Sequence, residues 1–273
     1  MLITAIILGL LSLVIITAVI FLTKKSAVGV PSAYLNTYET TLFFFVFVSL
    51  MFIGISLAKF VARLDLGEAG VYCSTVALQL GFSVAVLWIA RKINVKISLG
   101  DIFSSIKSGL IYFVSSVSVL ACGGCISTLY KIITGDDIEK QPSVALFIDI
   151  DTLWLKIFAG FSIIILAPIV EELFFRGLLY PCVKGWIARY FGVVSGVSGS
   201  DFFKDKVVVV FSAILVSAIF SLIHSSAFAF LPIFIMGIIL ICAYEKTNSI
   251  LAPITAHMLF NLANVLIIIF SEQ

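Results

Sequence analysis

Apolar residues run along this chain in blocks of about 20, the length a helix needs to cross a membrane, rather than alternating with polar ones. Eight stretches meet that rule, at approximately 2–23, 41–60, 69–90, 108–130, 157–183, 207–225, 227–245 and 250–270. Charged or turn-rich segments separate most of them: Lys24 to Thr40, Arg63 to Glu68, Arg91 to Lys107, Lys131 to Asp151, and Lys184 to Lys206. The pattern predicts an all-α, polytopic membrane protein with about eight transmembrane helices. Residues 2–23 lack a preceding basic region and an A-x-A site, and Lys24-Lys25 follows them, so this segment reads as a span and not a cleaved signal peptide. Residues 194–200 have the small, polar composition of a flexible loop. No internal repeat and no soluble domain stands out.

Composition agrees with this reading. The chain is 62% hydrophobic and 12% charged over 273 residues, with a mean hydropathy of +1.22. A soluble domain carries about twice that charged fraction to wet its surface, so most of this surface must face lipid. A net charge of +2 gives no basis for a nucleic-acid partner. The five Cys, at 73, 122, 125, 182 and 242, lie in or beside apolar stretches and do not form a disulfide framework. Cys122-Gly-Gly-Cys125 matches a CxxC redox pattern but lacks a βαβ context, and reads as small residues at a helix contact.

Placement of the basic residues sets orientation. Alternating the loops over eight spans places 11 Lys and Arg on one side and 4 on the other. The richer side, with Arg91, Lys107, Lys184, Lys206 and Lys246, is expected to be cytoplasmic, which puts both termini outside. The expected location is integral and multi-pass, in the plasma membrane if the source is bacterial.

Ionisable groups inside spans are expensive, about 2.5 to 3.5 kcal/mol each on the insertion scale, and here they gather in the second half. Pro168-Ile-Val-Glu171-Glu172-Leu-Phe-Phe-Arg176-Gly177 lies in the fifth span. Glu172 and Arg176 are four apart and pair along a helix; Glu171, about 100° round, points elsewhere. Pro168 bends the helix and opens room beside it. Phe220-Ser-Leu-Ile-His224 ends the sixth span, and His257-Met-Leu-Phe-Asn261 places its two polar residues on one face of the eighth, continued by Asn264. His224 and His257 are the only His in the chain. With a rise of 1.5 Å per residue, Glu171, His224 and His257 lie about 20, 27 and 15 Å from the cytoplasmic edge. Tilts and kinks of ordinary size bring such levels together, provided the fifth helix continues past Arg176 towards Lys184. The alternative for the Glu pair is an amphipathic helix end meeting water.

EExxxR, FxxxH and HxxxN, in this order and each in an apolar helix, resemble the CPBP family of intramembrane proteases. That family includes the Rce1-type CAAX prenyl endopeptidases and the bacterial Abi and bacteriocin-immunity relatives. The resemblance runs from about 157 to 265 and takes in "APIVEELFFRGLLY" and "YEKTNSILAPITAHMLFN". It implies a protease core over 151–273, preceded by N-terminal transmembrane helices of unassigned role over 1–150. It implies hydrolysis of a peptide bond in a membrane-embedded, prenylated or otherwise lipidated protein or peptide, in a cavity reached from the cytoplasmic side or from within the membrane. Glu171 and His224 would activate the attacking water, His257 and Asn261 would stabilise the oxyanion, and Glu172 with Arg176 would hold the first motif in shape.

The chemistry is coherent on these residues: a desolvated Glu serves as a base, and a His with an Asn amide supplies donors to an oxyanion. The same residues allow a second wiring, with zinc held by Glu171, His224 and His257. HExxH is absent, which excludes the soluble zincin arrangement. Two other functions use the same polar groups. One is a non-catalytic immunity or scaffold protein. The other is a proton-coupled transporter, which the lack of matching polar helices in the first half disfavours.

Overall fold

The computed structural model describes residues 67–92, 95–136, 144, 147–191, 202–224 and 226–271. The spans expected at 2–23 and 41–60 and the loop at 194–200 lie outside the described residues. Among the described residues the regular elements are helical: α1 (Gly67–Lys92), α2 (Ile102–Thr134), α3 (Leu153–Tyr190), α4 (Phe202–Ile223), α5 (Ala227–Thr247) and α6 (Leu251–Ser271). All six are long and apolar enough to cross a membrane, and they coincide with the last six expected spans. The chain is an integral, multi-pass membrane protein.

These helices are apolar on every side, as lipid-embedded helices are. On α2, Leu110, Ile111, Val114 and Val117 face outward while Tyr112, Ser115, Ser116 and Val119 are buried. Buried Ser116 and Ser118 cost little because their hydroxyls donate back to the helix, Ser116 to the Phe113 carbonyl at 2.7 Å and Ser118 to that of Ser115 at 2.6 Å.

The helices divide into two compact units. One takes Ser98–Ile150 and Val209–Gln273. Its core joins Tyr112 and Val119 of α2, Met236, Leu240 and Ala243 of α5, and Ala252 and Ala256 of α6. Small residues let these backbones close, because lipid offers no hydrophobic drive and contact must come from close packing. A Cβ on Gly109 would fall 2.6 Å from Thr255 Cβ and 2.8 Å from the Ala252 carbonyl, so α2 and α6 cross there. Gly237 does the same for α5 against Ser217 of α4, at 2.8 Å.

The other unit takes residues 67–97 and Asp151–Val208, with α1 packed along α3. α3 is one continuous helix interrupted by two π-helical turns, Ser162–Leu166 and Phe175–Leu179. The first precedes Pro168, which lacks an N–H and would clash with an α-helical turn before it; the wider π turn accommodates it. The helix runs past Arg176 to Tyr190, as the catalytic reading of the sequence required. Lys184 differs from the expectation of a loop residue: it lies within α3, is 2% exposed, and sets its Nζ 5.9 Å from the Tyr180 ring. Hydropathy counting treats a Lys as solvent-facing and does not register a long side chain that is buried within a helix.

Candidate active site

The polar residues picked out in the sequence fall in two groups, one in each unit. The first is on α3 between the two π turns. Glu172 and Arg176 are fully buried, and an Arg176 Nη1–H donates to Glu172 Oε1 at 2.8 Å. The i,i+4 spacing that predicted this pair makes it local to one helix, so it forms wherever that helix forms. Burial makes it strong and also indispensable: either charge alone in this setting would cost several kcal/mol. Glu171, one residue earlier and turned round the helix, is partly exposed. Two adjacent carboxylates thus have different surroundings, one fully buried against a guanidinium and one partly exposed.

The turn that carries them is held from both sides within this unit. Phe174 packs on Phe82 of α1 with centroids 5.3 Å apart, and on Phe175 at 4.9 Å. Gly177 leaves room for Ile97, whose Cδ1 would lie 3.1 Å from a Cβ at that position. Ser162, which opens the first π turn, donates its hydroxyl to Gln79 Oε1 of α1 at 3.1 Å. Gln79 and Phe82 belong to the part of the chain to which the sequence assigned no role. The signal available in the sequence for Gln79 is a carboxamide within an apolar span.

The second group is in the other unit. His224 follows the last residue of α4, and its Nδ1 lies 2.8 Å from the Phe220 carbonyl oxygen. A carbonyl only accepts, so Nδ1 donates, and in the neutral imidazole this tautomer presents Nε2 as a lone pair. The Phe220 ring lies edge-on to both imidazoles, with centroids 5.0 Å from His224 and 6.0 Å from His257. The FxxxH spacing therefore supplies two things: the carbonyl that sets the tautomer and the ring that brings α4 against α6. His257 is buried, and Asn261 follows one turn later, partly exposed. Asn264, seven residues from His257, lies on the same helical face. Its Nδ2 donates to the Phe260 carbonyl at 3.1 Å, so it is engaged with its own helix.

His224 and His257 are two of the three donors a His₂Glu zinc site needs, and the carbonyl behind His224 is the usual support for such a ligand. Within their unit, no third His, Cys, Asp or Glu among the described residues joins them in a metal-holding group.

Residues 153–263 match the family described as Type II CAAX prenyl endopeptidase Rce1-like. The matched segment begins with α3 and contains Glu171, Glu172, Arg176, His224, His257 and Asn261. No curated protein and no solved structure matches the chain. The family match implies peptidase activity in a membrane protein.

Proposed function

From that match and from the polar groups on α3, α4 and α6, we propose that the chain is an intramembrane endopeptidase of the CAAX-protease type, with its catalytic core in 151–273. The substrate is a prenylated or otherwise membrane-associated protein or peptide, entering from the cytoplasmic side or from within the bilayer. The observation that carries the reading is the 2.8 Å contact of His224 Nδ1 with the Phe220 carbonyl: in the neutral imidazole this contact puts the proton on Nδ1 and leaves Nε2 as an acceptor for a water proton.

In the proposed reaction Glu171 takes a proton from water while His224 Nε2 orients it, and the hydroxide adds to the scissile carbonyl carbon. His257 and the Asn261 amide donate to the oxyanion that forms. The tetrahedral centre collapses, the C–N bond breaks, and the proton held by Glu171 passes to the departing amine. Glu172 and Arg176 touch none of the reacting atoms; they fix the α3 turn on which Glu171 sits. Zinc bound by Glu171, His224 and His257 would instead supply Lewis acidity to the same water, and a chelator distinguishes the two.

The direct test is cleavage of a farnesylated, fluorogenic C-terminal peptide by purified protein in micelles, against the same peptide unprenylated. Turnover that vanishes in Glu171→Ala supports the proposal. Turnover retained by a folded Glu171→Ala protein overturns it; a cellular phenotype that survives Glu171→Ala, His224→Ala and His257→Ala favours a scaffold or immunity role.

A further inference from the structure

The unit built on α2, α5 and α6 contains a second polar feature, separate from the two His. A cleft of about 470 Å³ opens between the start of α2 and the end of α5, lined among others by Asp101, Ile111, Tyr112, Ser115, Lys246 and Thr247. The volume lies within the range of small-ligand sites. From Asp101 to Ser115 the lining climbs about 20 Å along α2, from the helix end well into the depth of the span.

The mouth of this cleft is rigidly built. The Ile250 N–H donates to the Ser98 carbonyl at 2.8 Å, and the Ser249 hydroxyl donates to the Leu99 carbonyl, tying the entry to α2 onto the α5–α6 turn. Gly100, at φ 62°, makes the close passage; a Cβ there would lie 2.8 Å from Ser249 Cβ. Asp101 caps α2 by accepting the Ser104 N–H at 2.8 Å, and Asn248, at φ 50°, ends α5 by donating its N–H to Tyr244 at 2.8 Å. The backbones that carry Asp101 and Lys246 are therefore tied together around one opening.

Inside, Tyr112 and Ser115 line the cleft at 6% and 7% exposure. Neither hydroxyl is among the fully buried atoms that lack a partner, so both are open to the cleft and available to a polar guest. At the mouth, Asp101 and Lys246 carry opposite charges and form no ion pair among the described residues. Ile111 is 60% exposed and continues outward into Leu110 and Val114, part of the apolar surface of α2.

We propose that this cleft binds a zwitterionic amine–phosphate group presented by a phospholipid, phosphatidylethanolamine being the simplest. Lys246 meets the phosphate and Asp101 the primary ammonium. The Tyr112 and Ser115 hydroxyls donate to the ester oxygens, and the acyl chains leave over Ile111 along the outer face of α2. A phosphate alone would leave Asp101 opposed by like charge, and a cation alone would do the same to Lys246. The paired charges select a headgroup that carries both. The proposal stands independently of the peptidase reading.

The test is calorimetric titration of the purified full-length protein in maltoside micelles with short-chain phosphatidylethanolamine. Phosphatidylcholine and phosphatidylglycerol with the same chains, and phosphoethanolamine without chains, are the comparison arms. The expected result is saturable binding of phosphatidylethanolamine at least tenfold tighter than either other lipid. Asp101→Ser, which keeps a helix-capping hydroxyl, should abolish the preference over phosphatidylglycerol, and Lys246→Gln should weaken every phospholipid. Equal affinity for the three lipids, or unchanged binding in both folded variants, overturns the site. Phosphoethanolamine binding as tightly as the lipid overturns the lipid source and assigns the cleft to a soluble zwitterion.

Discussion

The Ser162 hydroxyl of α3 donates to the Gln79 carboxamide of α1 at 3.1 Å, across 83 positions of sequence. Ser162 opens the π turn that precedes Pro168 and the two Glu residues, and its side chain is 6% exposed. A helix outside the family-matched segment thus anchors the geometry of the helix that carries the proposed base. Gln79→Leu leaves the Ser162 hydroxyl buried with its partner gone and should cost about 1–3 kcal/mol. The double variant Gln79→Leu, Ser162→Ala should recover most of that loss, since both polar groups are then removed. Thermal unfolding in micelles measures both, and additive losses would show that the two side chains are not coupled.

Glu171→Gln keeps the shape of the side chain but cannot accept the water proton. Peptidase turnover should fall roughly 10²- to 10⁴-fold, the usual worth of a general base, with the melting temperature unchanged. A rise confined to KM, with kcat unchanged, would place Glu171 in substrate binding instead.

The buried Glu172–Arg176 pair makes the opposite prediction, a stability effect before a catalytic one. Glu172→Leu alone should destabilise by about 3–5 kcal/mol, because it strands a buried guanidinium. Glu172→Leu combined with Arg176→Met should be closer to wild type than either single change. Chemical denaturation in micelles reads the comparison; a double variant worse than both singles would contradict it.

Two glycines on α2 should behave differently. Gly109→Ala puts a Cβ 2.6 Å from Thr255 and 2.8 Å from a backbone carbonyl, and should cost about 1–3 kcal/mol through overpacking. Gly124, with open space around its Cβ position, should gain or lose little as Ala, helix propensity favouring the change by up to about 1 kcal/mol. Melting temperatures of the two variants decide it.

Water activation by Glu171 and His224 without a metal predicts that cleavage withstands a zinc chelator at concentrations that strip zinc from a control metalloprotease. Loss of turnover on chelation, restored by added zinc, would assign Glu171, His224 and His257 as ligands.

The linear pattern alone determined the membrane class and the positions of six helices, because crossing a bilayer demands about 20 apolar residues in a row and leaves little ambiguity. It also determined the Glu172–Arg176 pair, since i,i+4 neighbours meet on any helix. The burial of Lys184 and the anchoring role of Gln79 were not legible, because each depends on packing and, for Gln79, on a distant helix. The π turns flanking the motif were equally hidden, since they reflect how Pro168 and the neighbouring helix are accommodated rather than a local periodicity. FxxxH marked Phe220 and His224 as a local pair, but only tertiary packing set the Phe220 ring against His257 as well. Sequence therefore determined which side chains are polar in an apolar setting, and tertiary structure decided their partners, because contacts between helices depend on small residues and ring shapes that a hydropathy pattern does not encode.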